Sequence, residues 1–337
     1  MPKDEIIDLF CPAKVNLALS VGPLGVDELH PIASWMVAVD FCDHLTMTRL
    51  ESGKAAFDIA YEMTAPKPVP VDWPLEKDQA YRAIVLMEQH LGKSLPVNVT
   101  LRKRIPTGAG LGDGSSNGAG TLVGLNRLFD LDLDNAVMMR LATQLGSDVP
   151  FLVQAIGGQT SAVVTGFGEK IEPLPLNHSN TIPFPRRKTL GGGHPANNKG
   201  SCPPREDGDI RDSPRQIIHL VLLFPPTSCS TADVYQAFDR LTPDTNPPDI
   251  NRVRTLTRIN PLPHDGPFND LTDAAIEVHP DLGKIRCELA NTLGHPVHLT
   301  GSGSALFVVT SNADACDQLA QTAERLADLP AIATRTL

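Results

Sequence analysis

The glycine-rich segment 105–119 contains the residues of this chain whose types and spacing are best suited to binding phosphate. Five glycines fall within residues 108–118, and the pair Ser115–Ser116 lies among them. Glycine lets a backbone approach an anion closely because it has no Cβ. The unpaired N–H groups and the dipole at a helix N-terminus attract the same anion. We therefore predict that this segment holds the phosphates of a nucleotide.

The elements on either side of the loop support this prediction. Residues 97–101 alternate between apolar and polar side chains, as in a strand, and the apolar residues of 119–129 recur at helical spacing. Two other phosphate loops fit poorly. A Walker A loop needs a lysine before its serine, and none precedes Ser115; a dinucleotide fingerprint starting at Gly108 would place Asp113 where its last glycine belongs.

The composition limits the classes of protein to which the chain can belong. Its 337 residues suffice for two domains or one large one, and 41% hydrophobic with 20% charged residues is typical of a soluble globular protein. A net charge of −10 argues against a nucleic-acid partner. We find no membrane-spanning run and no signal peptide. The six cysteines lack Cys-x-x-Cys spacing, so we expect reduced thiols in a cytoplasmic protein.

Further elements are predicted along the chain. Residues 11–21 alternate as a strand that points Lys14 and Asn16 to the same side, roughly 7 Å apart. Helices are predicted over residues 79–91, 133–145 and 313–327. The apolar run after Asp148 is predicted to be a strand. Residues 177–214 have almost no apolar periodicity, and we predict a low-complexity, disordered insertion there.

Several motifs, in order, resemble one family. The pattern from Pro106 to Ser116 resembles the ATP loop of the GHMP kinase superfamily. With Ile105 included, it is similar to the loop of the 4-diphosphocytidyl-2-C-methyl-D-erythritol kinases of the non-mevalonate isoprenoid pathway. The segments 12–17 (Pro-Ala-Lys-Val-Asn-Leu) and 145–151 (Leu-Gly-Ser-Asp-Val-Pro-Phe) also resemble motifs of that family, and His30 matches a histidine in it.

The resemblance implies an α+β, two-domain GHMP kinase fold with the active site in the cleft between the domains. The ribosomal-protein-S5-like N-terminal domain would span residues 1–172, and the ferredoxin-like C-terminal domain would span residues 215–337. The segment 177–214 would be an insertion into this fold.

The resemblance also implies a reaction and a set of site residues. ATP, with Mg²⁺, would phosphorylate the 2-hydroxyl of 4-diphosphocytidyl-2-C-methyl-D-erythritol, with Asp148 as base and Lys14 beside it. Asn16 and His30 would bind the substrate that carries cytidine diphosphate, and no metal ligand is assigned. The residues implied for ATP are Pro106, Gly108, Ala109, Gly110, Leu111, Gly112, Asp113, Gly114, Ser115 and Ser116.

Three positions depart from the family pattern. Asp113 replaces a glycine, Asn117 replaces an aspartate and Leu29 replaces a tyrosine. A carboxylate beside a triphosphate repels it, so we expect Asp113 to turn outward or to help hold Mg²⁺.

Two alternatives stay open: a GHMP-type kinase for another small alcohol, and a catalytically silent nucleotide-binding homologue. A monomer or a homodimer is expected.

Overall fold

The computed structural model describes residues 5–26, 28–174, 217–244 and 246–337, which form two β-sheets with helices packed against them. The predicted insertion 177–214 lies outside these described residues. No helix among them is both long enough and apolar enough to cross a membrane.

The first sheet contains the long N-terminal hairpin. Its strands are β1 (Ile6–Val21), β2 (Ile32–Arg49), β3 (Ala56–Tyr61), β4 (Val97–Lys103), β5 (Ser161–Gly166), β6 (Lys170–Pro173) and β8 (Phe268–Asn269). The strands are ordered β3-β4-β2-β1-β8, with β5 on the other part of β2 and β6 beside β5. The β1–β2 register shifts on either side of the predicted site residues: β2 has two extra residues opposite Pro12–Lys14, and β1 has one extra residue between Asn16 and Ala18.

The second sheet belongs to the C-terminal half. Its strands are β7 (His219–Leu223), β9 (His298–Leu299), β10 (Leu306–Thr310) and β11 (Ala331–Arg335), in the order β11-β7-β10-β9 and all antiparallel. The helices are α1 (Gln79–Leu91), α2 (Asp113–Leu128), α3 (Asn135–Leu145), α4 (Val149–Ile156), α5 (Thr231–Leu241), α6 (Ile250–Leu256), α7 (Thr272–Val278), α8 (Pro280–Leu293) and α9 (Ala313–Ala327).

A shared apolar core joins the two sheets. One buried cluster contains Val15 of β1 and Val37 of β2 together with Leu220 of β7 and Phe307 of β10. The C-terminal residue also returns to the first sheet, where the Leu337 N–H donates to the Ala38 carbonyl at 3.0 Å. The halves are therefore held together by packing as well as by the chain between them.

Most of the predicted elements are confirmed. The helices over 79–91 and 313–327 have the predicted bounds, and the helix expected over 133–145 begins two residues later, at Asn135. The helix after the glycine loop starts as early as Asp113, so both serines lie in its first turns. The mixture of helices and two sheets agrees with the predicted α+β class, whereas the domain boundaries stay a prediction.

Two expectations are wrong. The apolar run after Asp148 is the helix α4, not a strand. A short apolar run has no distinguishing period, and Pro150 suits the first turn of a helix. The expectation of reduced thiols fails at Cys42, which is disulfide-bonded, although Cys11, Cys229, Cys287 and Cys316 are free.

Candidate active site

The predicted phosphate loop is a run of alternating left-handed glycines. Gly108, Gly110 and Gly112 have φ angles of 69°, 75° and 73°, a conformation that favours glycine. Ala109 and Leu111, between them, are buried in the apolar cluster shared by the two sheets. Pro106 is buried where the loop begins. The side chains of Ala109 and Leu111 thus anchor the loop in the core.

A second glycine loop, residues 300–304, lies directly against the first. A Cβ on Gly110 would overlap the Thr300 carbonyl and come within 3.0 Å of the Gly303 nitrogen. The Ala305 N–H donates to the Ala109 carbonyl at 3.0 Å. Only glycine fits such a close approach of two backbones. This turn therefore reaches the phosphate loop across the two halves of the chain.

The N-terminus of α2 follows directly on the first of these loops. Its N-cap residue is Gly112, whose missing side chain provides no cap for the first turn. Ser116 is buried and its hydroxyl donates to the Pro12 carbonyl at 2.7 Å, whereas Ser115 is half-buried. The Cβ position of Gly114 lies 3.2 Å from Gln79 Cγ. A helix N-terminus can bind an anion through its free N–H groups and its dipole, although the Gly114 N–H is already bonded to the Asp113 carboxylate.

Lys14 and Asp148 meet beside this helix end. Lys14 Nζ lies 3.4 Å from Asp148 Oδ2, and the lysine side chain is buried. The Lys14 N–H donates to the Leu111 carbonyl at 2.9 Å, which fixes β1 against the phosphate loop. Asp148 precedes the first turn of α4. The salt bridge that the sequence required is therefore present, although the catalytic roles of its two members stay a prediction.

Asn16 is placed as a partner of Lys14. Its Oδ1 accepts from Lys14 Nζ at 2.7 Å, and its Nδ2 donates to Ser34 Oγ at 2.8 Å. The backbone N–H of Asn16 donates to the Thr300 hydroxyl at 3.0 Å. Both ends of the amide are thus engaged inside the protein, and its predicted contact with the substrate is not tested.

His30 lies in a partly aromatic setting against α5. Its Nδ1 is 2.9 Å from the Gly22 carbonyl, and its ring centroid is 5.0 Å from that of Tyr235. Its Nε2 lies 3.5 Å from Asp239 Oδ1. Burial, aided by the negative charge of Asp148, raises the pKa of Tyr235 to about 12. Tyr235 therefore packs against His30 and is influenced by the negative charge of Asp148.

Beneath the phosphate loop lies a buried polar network centred on Asp43. Its Oδ1 accepts from the Arg104 and Ile105 N–H groups at 2.6 and 2.8 Å. Its Oδ2 accepts from Lys103 Nζ at 3.1 Å and from Asn117 Nδ2 at 2.8 Å. The start of the loop, the end of β4 and the first turns of α2 are therefore fastened to a single carboxylate.

Asp113 joins this network through Lys103. Its Oδ2 lies 3.6 Å from Lys103 Nζ and accepts from the Thr107 hydroxyl at 2.9 Å. Burial opposes the charged form of Lys103, but Asp43 and Asp113 outweigh that effect and raise the pKa of the ammonium. Burial raises the pKa of Asp113, against the attraction of Lys103. The expectation that Asp113 turns outward is thus wrong, because Lys103 and Thr107 hold it inward.

The sequence reasoning missed Lys103, Asp43 and Tyr235. Lys103 did leave a signal: it continues the buried positions Val97, Val99 and Leu101 of β4, where an apolar residue is expected. A charged residue at a buried strand position implies a buried partner. Tyr235 left none, because its contacts with His30 depend on how α5 packs.

Comparisons with known proteins agree with this geometry. Residues 78–157 match the GHMP kinases N terminal domain. A Chlorobaculum parvum protein named 4-diphosphocytidyl-2-C-methyl-D-erythritol kinase is 30% identical over 311 residues, which cover 92% of this chain and 91% of that protein. A protein of the same name from Exiguobacterium sibiricum is 29% identical over 310 residues, covering 91% and 90%.

Solved structures agree as well. A crystal structure of 4-(cytidine 5'-diphospho)-2C-methyl-D-erythritol kinase matches with a TM-score of 0.69 at 27% identity, over 98% of this chain and 100% of that one. The Methanococcus jannaschii mevalonate kinase matches with a TM-score of 0.59 at 12% identity, over 100% and 99%, and shows the fold alone. The chain has the GHMP kinase fold and belongs to the 4-diphosphocytidyl-2-C-methyl-D-erythritol kinase family.

Proposed function

We propose that this chain transfers the γ-phosphoryl group of ATP to the 2-hydroxyl of 4-diphosphocytidyl-2-C-methyl-D-erythritol. The observation that carries the proposal is the Lys14–Asp148 ion pair beside the uncapped N-terminus of α2. The relatives that cover nine-tenths of the chain carry the name of this kinase. The supported activity is therefore that of a small-molecule kinase.

The phosphates of ATP would lie on the glycine loop and at the start of α2. Gly108, Gly110 and Gly112 expose backbone rather than side chains there, and Gly112, the N-cap residue of α2, provides no capping side chain. The helix dipole adds attraction for the triphosphate. Lys14 lies at the loop, since a Cβ on Gly112 would be 3.1 Å from its Cγ.

Asp148 would accept the proton of the attacking hydroxyl. An alcohol is a weak nucleophile at neutral pH, and a positioned carboxylate takes its proton as the new O–P bond forms. Lys14 would keep the carboxylate oriented and stabilise negative charge on the transferred phosphoryl group. Phosphoryl transfer needs chiefly such positioning and charge stabilisation. The 3.4 Å Lys14–Asp148 contact supports both roles.

The other end of the acceptor would lie near His30 and Tyr235. These rings are 5.0 Å apart, and the negative charge of Asp148 acts on Tyr235. Aromatic faces suit a planar base such as cytosine. Leu29, which precedes His30, is exposed and would offer an apolar contact. We assign this region to the cytidine diphosphate portion of the substrate.

Oxygen ligands for Mg²⁺ are present beside the phosphate loop. The Asp113 carboxylate and the Ser115 hydroxyl lie in the first turn of α2, and Mg²⁺ prefers carboxylate and phosphate oxygens with several waters. Asp113 is already engaged by Lys103 and Thr107, so the Ser115 hydroxyl is the ligand that would hold the ion together with the phosphates of ATP. When bound, Mg²⁺ neutralises phosphate charge.

We also propose the setting in which the enzyme works. It acts on a small molecule, as a monomer or a homodimer in the cytoplasm and without nucleic acid. The net charge of −10 supports the last point. Light scattering during gel filtration measures the oligomeric state.

The test is an ADP-release assay with ATP, Mg²⁺ and 4-diphosphocytidyl-2-C-methyl-D-erythritol. We expect turnover by the wild type and a kcat lower by about 10²–10⁴ in Asp148→Asn. The Asp148→Asn variant keeps the side-chain shape, so its Kd for ATP, measured by calorimetry, should stay within about threefold.

Three outcomes contradict the proposal. Absence of ADP above background in the wild type favours the silent nucleotide-binding homologue. Faster turnover with homoserine or mevalonate favours a GHMP-type kinase for another alcohol. An Asp148→Asn variant as active as the wild type removes Asp148 from the reaction.

A further inference from the structure

The structure contains a directed chain of hydrogen bonds that leads to Lys14. Ser34, on β2, has a fully buried side chain. Its hydroxyl donates to the Ala18 carbonyl at 2.7 Å and accepts from Asn16 Nδ2 at 2.8 Å. Asn16 Oδ1 then accepts from Lys14 Nζ at 2.7 Å. Three consecutive bonds thus connect a backbone carbonyl to the ammonium group.

The direction of this chain is fixed at its far end. A carbonyl oxygen only accepts hydrogen bonds. Ser34 has one hydroxyl proton, and because that proton is used on Ala18, only an acceptor lone pair is left for Asn16. The amide must therefore point its NH₂ group at Ser34 and its oxygen at Lys14. The opposite orientation would face NH₂ donors against an ammonium, which has only donors.

The bulge in β1 makes this geometry possible. Asn16 pairs with Met36 and Ala18 pairs with Trp35, so the bulge adds one residue to β1 between these pairs. An extra residue bends and twists the strand locally. Ser34 is paired with Leu19, yet its hydroxyl reaches the Ala18 carbonyl and the Asn16 side chain.

We infer that Ser34 is a positioning residue for phosphoryl transfer: through the orientation of the Asn16 amide, it holds Lys14 Nζ between Asn16 and Asp148. This inference rests on the proposed function for its effect on turnover. Ser34 need not touch ATP or the acceptor. Its loss should therefore lower kcat and leave both KM values nearly unchanged.

The first experiment compares Ser34→Ala, Ser34→Thr and Ser20→Ala in the ADP-release assay. We expect kcat to fall about tenfold in Ser34→Ala, or ~1.4 kcal/mol of transition-state stabilisation, with both KM values within about threefold. Ser34→Thr restores the hydroxyl and should recover most of kcat. Ser20→Ala is the matched control. Ser20 lies on β1 and is buried like Ser34, but its hydroxyl donates to Asp270 at 2.9 Å. Its kcat should stay within about twofold.

A double-mutant cycle separates positioning from a general loss of packing. If Ser34 acts through Asn16, Ser34→Ala should change kcat less than about twofold in an Asn16→Ala background. A full tenfold loss there overturns the inference. Equal losses in Ser34→Ala and Ser20→Ala also overturn it, and so does a Ser34→Thr variant no better than Ser34→Ala.

A measurement without turnover distinguishes this inference from the proposed function. In protein labelled with ¹⁵N-asparagine, the side-chain NH₂ signals of Asn16 are identified by their loss in Asn16→Asp. We expect their hydrogen exchange to accelerate at least about tenfold in Ser34→Ala but not in Ser34→Thr or Ser20→Ala. Unchanged exchange in Ser34→Ala overturns the hydrogen-bond chain. If the exchange responds while the wild type shows no turnover, the proposed kinase activity fails and the chain of bonds stands.

Discussion

Lys103 maintains the charge balance beneath the phosphate loop. Its ammonium is 3.1 Å from Asp43 and 3.6 Å from Asp113, and its side chain is 2% exposed. Asn117 bridges Asp43 and Lys103, since its Nδ2 donates to Asp43 and its Oδ1 accepts from Lys103. An aspartate at position 117 could not donate to Asp43 while ionised. The asparagine therefore suits this network better than the aspartate of the family pattern.

Lys103→Met should destabilise the protein severely. It leaves the Asp43 carboxylate, which is 0% exposed, without its cation. Removing one partner of a buried ion pair costs about 3–5 kcal/mol of unfolding free energy. Urea denaturation followed by circular dichroism measures this loss. Lys54→Met, at an exposed lysine, is the control, and equal small losses in both variants would contradict the role of Lys103.

Asp113→Gly tests whether the unusual loop carboxylate repels ATP. Because Lys103 and Thr107 already engage this carboxylate, its removal should change the Kd for ATP by less than about threefold. Isothermal titration with and without Mg²⁺ gives the Kd. Many-fold tighter binding without Mg²⁺ would show that Asp113 is not neutralised inside the protein.

At the scale of elements, two glycine loops and one helix end make the site. The loops at 108–112 and 300–304 come from opposite halves of the chain and are in backbone contact. Asn269 holds the second loop, because its Nδ2 donates to the Leu299 and Gly301 carbonyls at 3.0 and 2.8 Å. Any side chain between these loops would push them apart.

Gly110→Ala should therefore lower the free energy of unfolding by more than its left-handed conformation alone explains. Gly92 has a similar φ of 63°, but nothing lies within 4 Å of its Cβ position. Gly92→Ala isolates the conformational cost, about 1 kcal/mol. Gly110→Ala adds an overlap with the Thr300 carbonyl, and we expect at least about 2 kcal/mol more loss of stability and a higher KM for ATP.

Thermal denaturation and ATP kinetics on both alanine variants check this difference. A Gly110→Ala variant that matched Gly92→Ala in stability and in KM would show that the two loops separate freely. Wild-type protein assayed in parallel gives the reference for both variants.

At the scale of the whole molecule, several contacts join the N-terminal and C-terminal halves. Lys67 Nζ donates to the carbonyls of Pro225, Pro226 and Thr227 at 2.9, 3.4 and 3.2 Å. The Cys229 N–H, just beyond, donates to the Gly108 carbonyl at 3.4 Å. Together with the shared apolar cluster, these bonds fix the relative positions of the elements around the phosphate loop.

Stability should fall as the pH drops through the range where histidines gain protons. Burial, with a contribution from Arg286, lowers the pKa of His298. The folded state then binds a proton less readily than the unfolded chain, whose histidine pKa is about 6.5. The stability contributed by neutral His298 is therefore fully present above that pH and is lost as the pH falls below it. The pKa values of His219 and His295 are lowered as well, chiefly by burial.

Melting curves at about pH 7.5 and about pH 5.5 measure this effect. The wild type should melt at a lower temperature at the lower pH, and His298→Gln should show a smaller decrease. His90→Gln, at an exposed histidine, serves as the control. A His298→Gln variant with an undiminished decrease would assign the pH dependence to other groups.

The sequence alone determined the features that have a local pattern. The glycine loop at 108–114, the alternation around Lys14, and the helices α1 and α9 all follow from period or from residue type, and the structure has them at or near the predicted places. The family motifs at 12–17 and 145–151 also predict that Lys14 and Asp148 belong to the same site.

Only the tertiary structure decided which distant residues support these motifs. Asp43 and Lys103 are 60 positions apart, and Ser34 is 18 positions from Asn16. Local periodicity reports which face of an element is buried, but not which polar group meets another across a sheet. The inward turn of Asp113, the orientation of the Asn16 amide and the contact of the two glycine loops each depend on such long-range packing, so the sequence pattern could not specify them.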